Sequence, residues 1–150
     1  MRAIVTLFTL ILALTLSGCH THDLNTVDSN GQPVNLKIHP NRWLFINYWA
    51  SWCSHCRTEI GELNVFYQTH HQQVMLYGVN YDHLALDKLR LEGKRLGIDY
   101  PMLPTDPSEA LAIDAIDSLP VTFVYDPSGK LRHVLHGPQT TASLDAAMKE

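Results

Sequence analysis

Trp43-Leu44-Phe45-Ile46-Asn47-Tyr48-Trp49 is a nearly continuous apolar run, rich in aromatics. Such a run marks a strand covered on both faces, which belongs at the centre of a sheet. From Ser54 to about His70 the apolar residues Ile60, Leu63, Phe66 and Tyr67 recur at helical spacing, so a helix follows the strand with Cys53 at or just before its start. Gln73 to Tyr81, carrying Val74, Leu76, Gly78 and Val79, reads as a second buried strand. Asp82 is then a candidate N-cap for a helix through Leu84, Leu86, Leu89 and Leu91 to Leu96, stopped by Gly97. A short helix is expected from Asp106-Pro107 through Ala110, Leu111 and Ile113.

The period changes near the end of the chain. Val121 to Tyr125 is a strand, Asp126-Pro127-Ser128-Gly129 is turn chemistry, and Leu131 to Leu135 returns as the second arm of a hairpin. Thr140 or Thr141 caps a last helix to Lys149. Near the front, Thr26-Val27 and Pro33 to Leu36 flank Asp28-Ser29-Asn30-Gly31, whose Asn-Gly signals a hairpin turn. The predicted order is β, β, β, α, β, α, α, β, β, α. Strands alternating with helices and closing on an antiparallel hairpin imply an α/β fold with a mixed central sheet flanked by helices and an N-terminal β-hairpin.

The first residues do not fit this pattern. Met1-Arg2 is a short positive start, and Ala3 to Leu16 is apolar apart from three threonines, the length of a signal-peptide core rather than a membrane span. It ends in Leu16-Ser17-Gly18-Cys19, which resembles the bacterial lipobox, whose cysteine is acylated and becomes the new N-terminus. The expected organisation is a signal peptide over 1–18, a lipidated tether over 19–23 and one domain over 24–150. A chain of 150 residues supports one domain with a real core. A formal charge of −4, with no basic run, gives no reason to expect nucleic acid as a partner.

The chain has three cysteines. Lipidation would remove Cys19 from thiol chemistry and leave Cys53-Ser54-His55-Cys56. A disulfide closing so short a loop restricts the unfolded chain little, so redox chemistry explains the pair better than stability does. At a helix start, free N–H groups and the positive end of the dipole stabilise a thiolate, the attacking species in disulfide exchange. The first cysteine is the better served, which makes Cys53 the nucleophile and Cys56 its resolving partner. Half of a zinc site has the same spacing. However, no second Cys pair or His-x(3 to 5)-His follows at a useful distance, and the odd spacing of His133 and His136 in a strand puts them on opposite faces. No metal site is expected.

Leu44 to Cys53 with Leu119-Pro120-Val121-Thr122-Phe123-Val124 and Asp126-Pro127-Ser128-Gly129-Lys130 resembles the thioredoxin fold, specifically its exported TlpA/ResA/CcmG-like branch, over nearly all of residues 24 to 149. The resemblance implies a thioredoxin fold and thiol–disulfide oxidoreductase activity on protein cysteines, with no cofactor beyond the Cys53–Cys56 disulfide. It makes Pro120 the cis-proline facing the cysteines, with the Leu119 backbone free to pair with an extended substrate segment. It places Glu59, one turn past Cys56, as a proton-transfer group, at a place suited to a partly buried carboxylate of raised pKa. Asn47 stands where cytosolic thioredoxins carry a buried acid. Trp49 and Trp52 flank the pair, one as core and the other as a rim for a partner. His20, His22, His39, His70, His71 and His83 read as scattered surface residues. Gly61 and Val121 depart from the branch, which commonly has proline and threonine there.

His55 bears on direction. A protonated imidazole beside the pair favours the thiolate and so the reduced form, making the disulfide more oxidising. DsbA-type oxidants carry histidine at this third position, whereas many reducing relatives have proline. The branch as a whole implies a reductant, serving cytochrome c maturation or the rescue of oxidised proteins and recharged by a membrane partner of the DsbD type; an oxidant would use one of the DsbB type. The expected setting is the periplasmic face of the bacterial envelope, lipid-anchored through Cys19 as a monomer. His20 after the lipidated cysteine leans toward the outer membrane. A copper metallochaperone using Cys53, Cys56 and His55 or His136 is an alternative, since copper(I) favours thiolates. A thiol peroxidase is another, disfavoured because no separate peroxidatic cysteine precedes the pair.

Overall fold

The computed structural model describes residues 26–36 and 41–149. The expected signal peptide, the tether and Cys19, the histidines at 20, 22 and 39, and Glu150 lie outside the described residues. Short strands β1 (Thr26–Val27) and β2 (Pro33–Val34) pair antiparallel as a two-stranded sheet. Their turn is held by Asp28, whose Oδ1 accepts the N–H groups of Asn30 and Gln32 at 2.7 and 2.9 Å.

The main sheet holds five strands. These are β3 (Trp43–Trp49), β4 (Val74–Asn80), β5 (Met102–Leu103), β6 (Val121–Tyr125) and β7 (Leu131–His136), in spatial order β5-β4-β3-β6-β7. Strand β3 is central, parallel to β4 and antiparallel to β6. Of its seven residues all but Trp43 are buried, as an apolar run covered on both faces requires. Helices α1 (Ser54–His70), α2 (Leu86–Leu96), α3 (Ser108–Leu111) and α4 (Thr141–Ala147) complete the order.

The alternation of side chains along β3 divides the core. Phe45 and Trp49 join Leu63 and Phe66 of α1, Leu89 of α2 and Leu144 of α4, with Phe45 and Phe66 edge to face at 5.0 Å between ring centroids. Leu44, Ile46 and Tyr48 point to the opposite face, where Val121, Phe123, Tyr125 and Val34 meet them and Leu111, Ile113 and Ile116 pack alongside.

Five expectations are corrected. Strand β5 was missed, because two residues are too short to show a period. Asp82 does not cap α2: the helix starts at Leu86 after Ala85, while the Asp82 carboxylate accepts the Trp52 indole N–H at 3.0 and 3.2 Å. Helix α3 stops at Leu111 because Ala112 turns into the left-handed region, φ 51°, and α4 stops at Ala147 instead of Lys149. His70 is half-buried, stacked on Phe66 and 2.9 Å from Asp145 Oδ1, so it links α1 to α4 and is not a surface residue. The remaining boundaries follow the pattern closely. Gly97 ends α2 at φ 74°, and Thr140 caps α4 in a capping box with Ser143.

Candidate active site

Strand directions decide where the chemistry gathers. Because β3 and β4 are parallel and β6 runs against them, the ends of β3 and β4 and the beginning of β6 share one edge of the sheet. The chain leaves β3 through Ala50 to Trp52 and enters α1, leaves β4 at Tyr81-Asp82, and enters β6 from Leu119-Pro120. Three loops distant in sequence thus meet at the α1 N-terminus. A hydrogen bond from Tyr81 N–H to Trp49 O, 2.8 Å, ties the first two. Pro120 is anchored from the other side by Gly137 N–H donating to its carbonyl at 2.9 Å.

Cys53 occupies the α1 N-cap in extended geometry, and its Sγ accepts the N–H of Cys56 at 3.1 Å. This is the helix-start environment that stabilises sulfur carrying negative charge. Cys53 and Cys56 are joined as a disulfide with 5.3 Å between Cα atoms. Cys56 is the more buried, at 2% exposure against 7% for Cys53. The Leu119–Pro120 peptide is cis. His55 is exposed on the first turn of α1, and its carbonyl accepts the Thr58 hydroxyl. Of the two flanking tryptophans, Trp49 is core at 2% and Trp52 is the rim at 63%.

Beneath the pair lies a buried polar network. Glu59, 1% exposed, accepts from Asn47 Nδ2 at 2.8 Å through Oε1 and from the Gln139 N–H at 2.8 Å through Oε2. Burial pushes its carboxyl up to about 7, because loss of water outweighs the two N–H donors that favour the anion. Asn47 Nδ2 also donates to Thr122 Oγ1 at 3.0 Å, and the Tyr100 hydroxyl lies 3.5 Å from Asn47 Oδ1. Burial first, and then the Glu59 charge, raise the Tyr100 pKa. Sequence reading singled out Glu59 and Asn47 but not Thr122, Tyr100 or Gln139. Thr122 alternates inward beside Asn47 in the strand pairing, a clue available once β3 and β6 are aligned. Nothing local marks the other two.

Beside the cysteines a groove of about 290 Å³ is lined by Trp52, Tyr81, Ile116, Asp117, Ser118 and Leu119. Among the described residues no three His, Cys, Asp or Glu side chains gather to share an ion.

A dithiol/disulfide pair at a helix start, with a cis-proline opening the strand beside β3 in a central mixed sheet, defines a thioredoxin-like thiol–disulfide oxidoreductase. The chain belongs to the AhpC/TSA family, whose model matches residues 17–134. It is similar to the thiol-disulfide oxidoreductase ResA of Geobacillus thermodenitrificans, 27% identical over 126 residues that cover 82% of this chain and 71% of the relative. Among solved structures it is similar to a thiol:disulfide interchange protein of the thioredoxin family from Chlorobium tepidum, with 26% identity, TM-score 0.70 and coverage of 85% of this chain and 91% of that one. StoA from Bacillus subtilis shares the fold at 20% identity, with TM-score 0.67 over 83% of this chain and 93% of that one.

Proposed function

We propose that the protein is an envelope reductant of protein disulfides, anchored by lipid at Cys19 and cycling through Cys53 and Cys56. The observation that carries the reading is the Cys53 sulfur, set at the α1 N-cap to accept the Cys56 N–H, beside an open groove. The Cys53 thiolate attacks a partner disulfide, forming a mixed disulfide and releasing one partner sulfur as thiolate. Cys56 gives up its proton and attacks Cys53 Sγ. This closes the protein disulfide and expels the second partner sulfur, so that two electrons have passed to the partner. Glu59 takes that proton in this reading, which its burial on the same face of α1 as Cys56 and its pKa near neutrality support. Trp52, Leu119 and Pro120 form the docking rim. A membrane electron donor of the DsbD type then restores the dithiol.

Cys53→Ser should abolish reduction of a model disulfide while the circular dichroism spectrum and unfolding transition persist; retained activity would sink the assignment. For the anchor, Cys19→Ser should move the protein from the membrane fraction to the soluble one, and an unmoved variant would refute lipidation. The export reading rests on the Met1 to Cys19 sequence pattern.

A second reading, the oxidant, is favoured by one observation: the exposed imidazole of His55 on the first turn of α1. The steady-state redox state of Cys53 and Cys56 in cells separates the two, mostly dithiol for a reductant and mostly disulfide for an oxidant.

A further inference from the structure

The groove beside the cysteines has a composition that its role as a docking rim does not require. Its walls are aromatic and aliphatic: Trp52 is 63% and Tyr81 42% exposed, and Ile116 and Leu119 are half-buried. One carboxylate lines the groove and a second bonds to its wall. Asp117 lines the groove itself, exposed, with Oδ1 accepting the Ser118 hydroxyl at 3.1 Å. Asp82 lies outside the lining but touches its wall: both carboxylate oxygens accept the Trp52 indole N–H, at 3.0 and 3.2 Å, from the edge of the ring. No residue lining the groove is cationic.

We propose that this groove receives a lysine or arginine side chain lying next to the partner's reactive cysteine, and so selects basic partner segments. The inference rests on the oxidoreductase reading and adds its substrate class. The long methylene stem of a Lys or Arg packs on apolar walls while its charged head stays in water. The faces of Trp52 and Tyr81 attract a cation, the carboxylate of Asp117 pairs with it, and the charge of Asp82 at the indole edge adds to the negative field nearby. A glutamate in the same place would meet two like charges. The chain's net charge of −4 steers basic partners in the same sense.

The test uses the reduced protein and peptide dimers joined by one cysteine disulfide, with Lys, Gln or Glu following the cysteine. Protein dithiol plus peptide disulfide yields protein disulfide plus two peptide thiols. Bimolecular rates are measured at low and high salt. A neighbouring lysine also makes any thiol a better leaving group, so the informative quantity is the Lys-to-Glu rate ratio of the parent divided by that of a double variant, Asp82→Asn with Asp117→Asn. Because each ratio is internal to one protein, a partly unfolded variant does not mimic the effect.

The ratio is expected to fall about fivefold in the double variant, to fall further with Asp117→Lys, and to shrink in 0.5 M salt. A ratio equal in parent and double variant, or unmoved by Asp117→Lys, overturns the inference. Neutral hydroxyethyl disulfide, too small to read the groove, separates this from the underlying activity. If the parent reduces it but shows no charge selection, the inference alone fails. If the parent cannot reduce it, the oxidoreductase reading fails.

Discussion

Glu59 is a carboxyl almost wholly removed from water. A carboxyl that ionises at 4.5 in water is held at about 7 by burial, so between those values the native chain keeps a proton that the unfolded chain has lost. Stability therefore falls as pH rises through this window, the reverse of the usual salt-bridged acid. The contribution is complete below the lower value and gone above the upper one. The expected loss is about 3 kcal/mol. Urea unfolding of the reduced protein between pH 4 and 8 measures it, and Glu59→Gln should flatten that slope whatever its own stability, since the amide does not titrate. A variant retaining the parent's slope would mean that another group carries it. The amide also meets two donors, Asn47 Nδ2 and the Gln139 N–H, so it leaves one of them facing an N–H and lowers stability at every pH.

At the level of elements, legibility followed the range of the interactions that make each one. Strand β3, α1 and the β6–β7 hairpin were readable because their signals, an apolar run, a helical period and Asp-Pro-Ser-Gly, lie within the segment itself. The start of α2 was not, since the acid that could have capped it is taken up by an indole thirty residues earlier in the chain. The same distinction divides the site. Cys53 and Cys56 were legible from spacing and from the helix that follows, and Pro120 only through resemblance. Gln139 and Tyr100 reach the network from 80 and 53 residues away and leave no local trace. Two glycines in the helical elements make opposite predictions. Gly61 is exposed inside α1, and a Cβ there meets nothing within 4 Å, so Gly61→Ala should stabilise by roughly 0.5–1 kcal/mol. Gly97 has equally open space but sits at φ 74° as the α2 C-cap, so Gly97→Ala should cost about 1 kcal/mol. Chemical denaturation of both reports whether backbone conformation, with space held equal, decides the sign.

For the whole molecule, redox potential and folding stability are two measurements of one cycle. The disulfide can be closed in the native or the unfolded chain, and each native form can unfold, so whatever makes the native pair more oxidising must stabilise the reduced protein relative to the oxidised one. In the proposed reading the parts that set this balance come together only in the fold: the α1 N-terminus at Cys53, the exposed His55 and the buried Glu59. In the unfolded chain there is no helix end, and the imidazole acts as a mobile neighbour in water, so replacing it should alter the native state far more than the unfolded one. A potential above the roughly −270 mV of thioredoxin is expected for the parent. His55→Ala should lower it by about 30 mV in equilibration with glutathione and, in separate unfolding experiments, raise the stability of the oxidised form relative to the reduced form by about 1.4 kcal/mol. Agreement between the two numbers would place the effect of His55 in the folded site. A potential that does not move would make His55 a surface residue and remove the support for the oxidant reading. A potential that moves without the matching stability difference would put its influence in the unfolded chain.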